Sequence, residues 1–349
     1  MAASGFLDSE NPDGSINKYK ARLVAKGFHQ KAGIDYNETF SPVVKSVTVR
    51  IVLTLPVTNQ WPIQQLDVNN AFLNGFLNEE VYMIQPPGFE QHDPSLVCKL
   101  NKALYGLKQA PRAWFERLKS ALVKLGFVAS KCDPSLFTLH TSHHKIFILV
   151  YVDDIIITGS SQTLIQQLVH KLHSEFSLKD LGKLDYFLGI EVHHSSSGSL
   201  LLSQTKYIRD LITEANMDQA NSIASPMASS TKLSKYGSSS VTDPTYFRSI
   251  VGALQYATIT RPEISYSVNK VCKFLSAPLE DHWKAVKRIL RYLQGTLNHG
   301  LLIIPAPKHE PISLTGFCDA DWASDPDDRR STSGSCIYLG PNLVSWWAK

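Results

Sequence analysis

The stretch KIFILVYVDDIIITG, Lys145–Gly159, places two apolar runs on either side of two adjacent aspartates, Asp153 and Asp154. Runs rich in Val, Ile, Phe and Tyr around a short polar step predict a β-hairpin. Carboxylates between runs this apolar are costly to desolvate unless a cation meets them. The pattern therefore indicates a cation-binding turn, and an ordinary exposed acidic turn is the alternative.

A third carboxylate, Asp67, stands near the end of another predicted strand, Ile63–Val68. If both strands end at one sheet edge, the three carboxylates come together there. Carboxylate oxygens with open positions suit Mg²⁺, which keeps room for waters and substrate phosphates. Two such ions stabilise the attacking and leaving oxygens of an in-line phosphoryl transfer. The residues thus predict two Mg²⁺ ions, with Mn²⁺ as an alternative.

The rest of the chain shows both helical and strand periodicity, which predicts an α+β fold. The predicted helices follow Pro111 up to Gly126 and span Leu164–Phe176, Lys206–Ala215 and Leu279–Leu293. Further strands are predicted at Lys18–Val24, at Tyr186–Val192, at Ser199–Leu202 and, as three short runs, within Ser313–Trp347. The segment Ser222–Thr242 is rich in Ser, Ala and Gly and predicts an extended linker.

Two local features predict irregularities in these elements. The apolar residues of Val47–Val57 have helical spacing, which predicts a helix. Because a proline ring inside a helix costs ~3 kcal/mol or more, Pro56 predicts that this helix ends near Leu55. The Asp13-Gly14 step before Lys18–Val24 is typical of a hairpin turn, whose first strand we expect to be mostly missing.

Composition limits the class of protein. A chain of 349 residues, 43% of them hydrophobic, predicts two or three domains, and its net charge of +4 only weakly favours a polyanionic partner. The five cysteines are widely spaced without a C-x-x-C pair, which predicts no zinc site and a reducing intracellular compartment, cytoplasmic or nuclear, rather than secretion. No apolar run approaches the roughly 18–20 residues of a membrane span, so we expect no membrane partner.

Six motifs in order carry a resemblance that runs over essentially the whole chain. They are KARLVAKGF (Lys20–Phe28), LDVNNAFLNG (Leu66–Gly75), ALYGLKQAPRAWF (Ala103–Phe115), YVDD (Tyr151–Asp154), DYFLGIEV (Asp185–Val192) and DADWASDPDDRRSTSG (Asp319–Gly334). The sequence is similar to the reverse transcriptase of copia-type LTR retrotransposon Pol polyproteins, with the start of a ribonuclease H domain. The resemblance implies an RNA-directed DNA polymerase acting on an RNA or DNA template–primer and dNTPs.

The resemblance also implies a fold and domain boundaries. The expected fold is a right-hand polymerase of fingers, palm and thumb, followed by a connection region and a truncated ribonuclease H-like α/β fragment. Residues 1–215 would form the fingers and palm, residues 216–300 the linker and helical thumb or connection region, and residues 301–349 the partial ribonuclease H-like domain. The oligomeric state is left open.

The catalytic roles follow from the two metal-binding motifs. The resemblance makes Asp67 and Asp153 the principal metal ligands and Asp154 the supporting carboxylate, with the Val68 carbonyl completing the shell. Phe72 matches the aromatic residue that excludes a ribose 2′-hydroxyl, although a core aromatic is an equal alternative. The remaining residues implied to contact the nucleotide are Lys20, Arg22, Tyr105, Gly106 and Lys108.

Two basic regions are candidates for nucleic-acid binding. Arg112 lies in Lys99–Lys131, which holds eight Lys or Arg against the single acid Glu116 and can neutralise several phosphates. Farther along, four basic residues follow i, i+3, i+4, i+7 spacing on one predicted helix face: Lys284, Lys287, Arg288 and Arg291. A solvated helix face is the ordinary alternative for such a stripe.

The final motif carries a narrower expectation. Asp319 resembles the first metal-binding aspartate of ribonuclease H, but its later acidic partners are not found before Lys349, so we expect no cleavage of an RNA–DNA hybrid. Uncovered strands bury little apolar surface, so Ser313–Lys349 should be loosely folded and cleaved by proteases beyond about Gly300. A catalytically inactive remnant that at most binds nucleic acid and an unrelated metal-dependent nuclease are the rival interpretations.

Overall fold

The computed structural model describes residues 4–10, 16–307 and 311–349, with side chains from residue 23 onward. These residues form two compact units, Met1–Thr48 with Pro62–Lys183 and Val49–Trp61 with Leu184–Lys349. The division falls after Lys183 and not after the expected residue 215. The polymerase regions assigned to 1–215, 216–300 and 301–349 stay predictions.

Helix α1 (Ser46–Asn59) enters the second unit at Val49. The other helices of the first unit are α2 (Ala110–Lys124) and α3 (Gln162–Phe176). Its strands are β1 (Ser4–Glu10), β2 (Ile16–Leu23), β3 (Ile63–Val68), β4 (Phe76–Ile84), β5 (Val97–Lys102), β6 (Val128–Ala129), β7 (Leu136–His140), β8 (Lys145–Tyr151), β9 (Asp154–Gly159) and β10 (Leu178–Lys183).

An antiparallel sheet of order β10-β3-β9-β8-β7-β6 forms the centre of the first unit. Alternate strand residues such as Leu66, Ile155 and Ile157 share one core with Trp114 of α2 and Phe176 of α3. Fully burying one large apolar side chain contributes roughly 1.5–3 kcal/mol, so this face fixes the strand register. A one-residue slip would turn the apolar set away from the helices.

The second unit contains helices α4 (Thr205–Glu214), α5 (Pro244–Ala257), α6 (Ser265–Cys272) and α7 (Glu280–Gly295). Its strands are β11 (Tyr186–Phe187), β12 (Ile190–His194), β13 (Leu200–Ser203), β14 (Leu301–Ile303), β15 (Leu314–Asp321), β16 (Thr332–Leu339) and β17 (Asn342–Ala348). The strands form antiparallel sheets of orders β11-β12-β13-β14 and β15-β16-β17. The four helices share an apolar core that includes Ile208, Leu254 and Ile289.

The predicted hairpin at Lys145–Gly159 and the predicted helices are confirmed, and the mixed α and β content agrees with the α+β expectation. Two strand predictions were wrong. β1 is present and pairs with β2, although the turn at Asp13-Gly14 lies outside the described residues. The strand expected at Tyr186–Val192 is interrupted, because Leu188 and Gly189 both take positive φ, 50° and 70°. None of the described helices has the length and hydropathy needed to span a bilayer.

The predicted end of α1 near Leu55 was also wrong, because the helix continues through Pro56 to Asn59. Val52, Leu53 and Val57 are 1%, 2% and 6% exposed, so the helix buries apolar side chains before and after the proline. Burial of those side chains offsets the hydrogen bond that the proline ring removes. Local propensity is here outweighed by packing.

The C-terminal sheet is better packed than expected. Val344 on β17 is 2% exposed, and the guanidinium of Arg50 on α1 lies 3.8 Å above the ring of Trp346. Arg50 Nε donates to the carbonyl of Val344 at 2.7 Å and Nη1 donates to the carbonyl of Ile259 at 3.0 Å. Trp347 is 49% exposed and β15 is exposed over nearly its whole length, so the closer packing is confined to part of the sheet.

We predict that Arg50→Met destabilises the second unit by about 2–4 kcal/mol, because the buried carbonyl of Val344 and the partly buried carbonyl of Ile259 lose charged donors. Burial lowers the pKa of Arg50 to about 10, so the lost side chain is a cation at neutral pH. Urea unfolding, with limited proteolysis of residues 311–349, measures the effect. Arg209→Met, an exposed arginine on α4, is the control. Equal unfolding free energies for the two variants would contradict this role of Arg50.

Candidate active site

The β8–β9 hairpin turns through two residues, Val152 and Asp153. Val152 takes a φ of 53°, which is unfavourable for a β-branched residue. The carbonyl of Val152 accepts a hydrogen bond from Trp114 Nε1 at 2.6 Å, and the carbonyl of Asp153 accepts one from the Val68 N–H at 2.9 Å. Bonds from α2 and from β3 thus hold the strained turn in place.

Asp67 and Asp154 lie directly opposite each other where β3 pairs with β9. Their neighbours in the register, Leu66 and Ile155, belong to the core with α2 and α3, so strand alternation puts the two aspartates on the other sheet face. Gln65 Nε2, on that same face, donates to Asp154 Oδ1 at 3.4 Å. The sheet therefore delivers Asp67 and Asp154 to one edge, next to Asp153 in the turn.

Electrostatic repulsion accompanies this convergence. Burial raises the pKa of Asp154, and the charges of Asp153 and Asp67 raise it further, while the hydrogen bond from Gln65 acts in the opposite direction. Within the described parts of the chain, no three or more Asp, Glu, His or Cys side chains are grouped closely enough to hold a metal ion. The predicted carboxylates are neighbours that repel one another.

Phe72 lies in a short 3₁₀ helix, Ala71–Asn74, that follows β3. Its ring is 4.7 Å from the ring of Tyr105, centroid to centroid, with 56° between the planes. The side chain is half-buried and packs against two apolar clusters, one containing Trp114 and the other Met83. Phe72 is therefore part of the packing and also partly accessible, which is compatible with both sequence-based interpretations.

The loop that carries Tyr105, Gly106 and Lys108 crosses the segment after β2. The Ala25 N–H donates to the Tyr105 carbonyl at 2.7 Å. Gly106 has a φ of 91°, and a Cβ there would be 2.0 Å from the Ala25 carbonyl oxygen, so only glycine fits. Lys108 Nζ donates to the carbonyl of Gln30 at 3.0 Å.

Lys20 and Arg22 lie two residues apart on β2, where they pair with Leu7 and Gly5 of β1. Their side chains lie outside the described part of the structure, so their proposed contacts with a triphosphate remain predictions.

Arg112 lines a cavity of about 710 Å³ on the outer face of α2 that the sequence analysis missed. Its Nη1 is 3.8 Å from Glu38 Oε2, a partly exposed ion pair of little energetic weight. The cavity also contains Arg117 and three acids, Glu38, Glu79 and Glu116. The helical spacing of residues 109, 112, 113, 116 and 117 indicates that they share one face of α2. Periodicity does not show which other elements form the walls of the cavity.

The basic residues of α7 fall into two pairs. Lys284 and Lys287 are exposed; Lys284 Nζ lies 2.8 Å from Asp281 Oδ1 and Lys287 Nζ lies 5.6 Å from the Trp283 ring. Arg288 Nη2 donates to Ser225 Oγ at 2.9 Å, and Arg291 Nε donates to the Asn221 carbonyl at 2.6 Å. Two of the four cations therefore hold the linker, and only two are exposed as a stripe.

Asp319 is exposed on β15, and its Oδ1 accepts a hydrogen bond from the Ala320 N–H at 2.8 Å. Asp321 instead accepts from the hydroxyl of Tyr266 at 3.3 Å. The acids of the following loop also have partners: Asp325 lies 3.5 Å from Lys273 Nζ, and Asp327 accepts from the backbone N–H of Lys235 at 2.8 Å. Three of the acids after Asp319 thus contact other parts of the second unit.

The chain is similar to several known proteins. A family model described as "Reverse transcriptase (RNA-dependent DNA polymerase)" matches residues 8–229. The chain is 53% identical to the Retrovirus-related Pol polyprotein from transposon RE1 of Arabidopsis thaliana and 42% identical to that from transposon TNT 1-94 of Nicotiana tabacum. Each match covers 99% of this chain but only 23% and 26% of those relatives.

A third relative is covered almost completely. The Putative transposon Ty5-1 protein YCL074W of Saccharomyces cerevisiae is 35% identical over 81% of this chain and 92% of its own length. Together with the family match, these similarities show that the chain belongs to the reverse transcriptase family, in the branch of copia-type retrotransposon Pol polyproteins.

Proposed function

We propose that this chain is an RNA-directed DNA polymerase that extends a primer on an RNA or DNA template. The observation that carries the proposal is the placement of Asp67, Asp153 and Asp154 at one end of the paired strands β3 and β9, in a chain of this family. The primer 3′-hydroxyl oxygen would form a bond to the α-phosphorus of a dNTP and lose its proton to solvent, and the bond to pyrophosphate would break.

The donor set suits divalent cations. Asp67 and Asp153 would hold two Mg²⁺ ions with help from Asp154 and the Val68 carbonyl, because hard cations select oxygen ligands. Burial raises the pKa of Asp154, and the negative charges of Asp153 and Asp67 raise it further; bound cations would neutralise that negative charge. When bound, the two ions supply charge stabilisation at the entering and leaving oxygens.

The chain's own residues hold the carboxylates in place before any substrate binds. Trp114 and Val68 fix the carbonyls of the hairpin turn, and Gln65 orients Asp154. A turn fixed by hydrogen bonds does not need to reorganise when charge develops, which is how preorganised sites lower barriers. The strained Val152 is then a cost that the sheet and α2 offset in order to place Asp153.

The nucleotide would lie between Phe72 and the Tyr105–Lys108 loop. Lys108 is exposed, and the contacts described for its ammonium are a carbonyl and the ring of Tyr36 at 5.3 Å. Such a cation can meet a triphosphate as a point charge, and Lys20 and Arg22 would add to it. Phe72 would exclude a 2′-hydroxyl by contact with the sugar.

Template–primer binding is proposed for Arg112 and for the α7 stripe, as part of a thumb or connection region. Within that stripe the exposed pair Lys284 and Lys287 is better placed to meet phosphates than Arg288 and Arg291, whose guanidinium groups contact the linker. Hybrid cleavage is not part of the proposal, because the described contacts of Asp321 and Asp325 are with other groups of the second unit.

The proposal is tested by primer extension on poly-rA/oligo-dT with Mg²⁺. Asp153→Asn keeps the side-chain shape and removes the charge, so we predict a fall in extension rate of about a hundred-fold or more, since metal-assisted charge stabilisation contributes several kcal/mol. Asp210→Asn, an exposed carboxyl on α4, is the control. Equal rates in wild type and Asp153→Asn would refute the assignment, and an inactive wild type would favour a remnant that only binds nucleic acid.

We predict that Phe72→Ala raises the incorporation of rNTP relative to dNTP by roughly ten-fold or more, because truncation opens space for the 2′-hydroxyl. The measurement is the ratio of kcat/KM for rNTP and dNTP on one template–primer. Leu73→Ala, at the exposed neighbouring position, is the control. A fall in stability without a change in this ratio would make Phe72 a core residue only.

We predict that Asp154→Asn stabilises the metal-free fold at about pH 7. The folded-state pKa of Asp154 is raised. Between the ordinary Asp pKa and this raised pKa the folded protein therefore binds more protons than the unfolded chain, and wild-type stability falls as pH rises through that range. Below the ordinary Asp value of about 3.9 the two proteins should agree. Urea unfolding in EDTA measures this, and added Mg²⁺ should stabilise the wild type more than the variant. A variant less stable than wild type in EDTA would show that repulsion is not significant.

A further inference from the structure

Two buried glutamines, Gln30 and Gln109, join the segment after β2 to the beginning of α2. They are 4% and 2% exposed. Gln30 Nε2 donates to Gln109 Oε1 at 3.0 Å, and Gln109 Nε2 donates to the carbonyl of Asp35 at 3.1 Å. The Lys108 N–H donates to Gln30 Oε1 at 2.8 Å. Each amide group therefore both donates and accepts, away from water.

The direction of this chain of hydrogen bonds is fixed at both ends. The Lys108 N–H can only donate, so the oxygen of Gln30 must face it and the nitrogen must face Gln109. The Asp35 carbonyl can only accept, so the nitrogen of Gln109 must face it. A flip of Gln109 would place nitrogen against nitrogen and oxygen against oxygen. The pair is thus a single directional connection between two backbone segments.

The same two segments touch through their backbones. A Cβ on Gly27 would lie 1.8 Å from the Gly106 carbonyl oxygen, and the Ala25 N–H bonds to Tyr105. Lys108 is held through both its N–H and its ammonium, each of which donates to Gln30. The position of the Tyr105–Lys108 loop relative to Phe72 therefore depends on contacts with Gln30 and Gln109, which lie outside the residues proposed to contact the nucleotide.

We infer that Gln30 and Gln109 are positioning residues for dNTP binding, acting through the Tyr105–Lys108 loop. The inference rests on the proposed polymerase function. A loop that carries nucleotide contacts must be placed to within a fraction of an ångström, and loss of that placement weakens binding of the correctly oriented substrate. The amide pair is suited to this because its two fixed ends allow a single arrangement.

The test compares Gln30→Met, Gln109→Met and the double variant at saturating template–primer. Methionine keeps the length of the side chain and removes its hydrogen bonds, while the bond from the Lys108 ammonium to the backbone carbonyl of residue 30 remains possible. Each single variant should raise the KM for dNTP about ten-fold with a smaller change in kcat, and the double variant should be no worse than the more severe single one, because residues that act as a unit are non-additive. The matched control is Gln64→Met, a 7%-exposed glutamine bonded to Asp180 at 2.6 Å.

A second variant covers the case in which a methionine variant does not fold. Gln30→Glu keeps the acceptor for the Lys108 N–H and loses the donor towards Gln109, which protonation restores. Burial raises the pKa of such a carboxyl, and the Lys108 ammonium, which donates to the backbone carbonyl of residue 30, acts in the opposite direction. Its KM for dNTP should therefore fall towards the wild-type value as pH is lowered from about 8 to about 6. A purely structural role would not give this pH profile.

The outcomes separate the two proposals. A wild type that extends primers, with KM for dNTP in Gln30→Met and Gln109→Met no higher than in Gln64→Met, or with additive effects in the double variant, overturns the positioning role alone. A flat pH profile for Gln30→Glu does the same. A wild type that does not extend primers refutes the polymerase proposal and, with it, this inference.

Discussion

The hydrogen bond from the Trp114 indole to the Val152 carbonyl is the constraint on which the rest of the first unit depends. Trp114 is 1% exposed, so the same side chain anchors α2 in the core and holds the turn that carries Asp153. A β-branched residue in the left-handed region would otherwise relax. Because core and turn share one side chain, any repacking of α2 moves the carboxylates.

That dependence explains how stability and chemistry are distributed over the central sheet. One face is apolar and packs against α2 and α3, and this packing sets the strand register. The same register places Asp67 beside Asp154 on the opposite face. The arrangement is unfavourable in itself, because burial and the neighbouring charges of Asp153 and Asp67 both raise the pKa of Asp154. The free energy of apolar burial on one face offsets the repulsion on the other.

Much of this could be predicted from the sequence. The hairpin at Lys145–Gly159 and the strand Ile63–Val68 were visible because β-branched residues surround the aspartates, and α2 and α3 because their apolar residues recur at helical spacing. The candidate site followed from the same two strands. Those features are local, so composition and periodicity report them directly.

The features that were missed depend on distant partners. The passage of α1 through Pro56 depends on burial of Val52, Leu53 and Val57, which no local rule reveals. The pairing of Gln30 with Gln109 spans 79 positions, and nothing in either neighbourhood marks a glutamine as buried. Arg288 and Arg291 looked like a solvated stripe because the linker that accepts their hydrogen bonds lies far away in sequence.

The contact between Arg50 and Val344 has a consequence for the order in which the second unit is made. The two residues are separated by 294 positions, so the guanidinium emerges from the ribosome long before its acceptor. A buried cation cannot be left unsolvated in the interval, so this part of α1 must stay hydrated until β17 has been synthesised. Closing such a distant contact comes late and slowly. The second unit can therefore consolidate fully only after β17 has been synthesised, and the part of α1 around Arg50 stays hydrated until then.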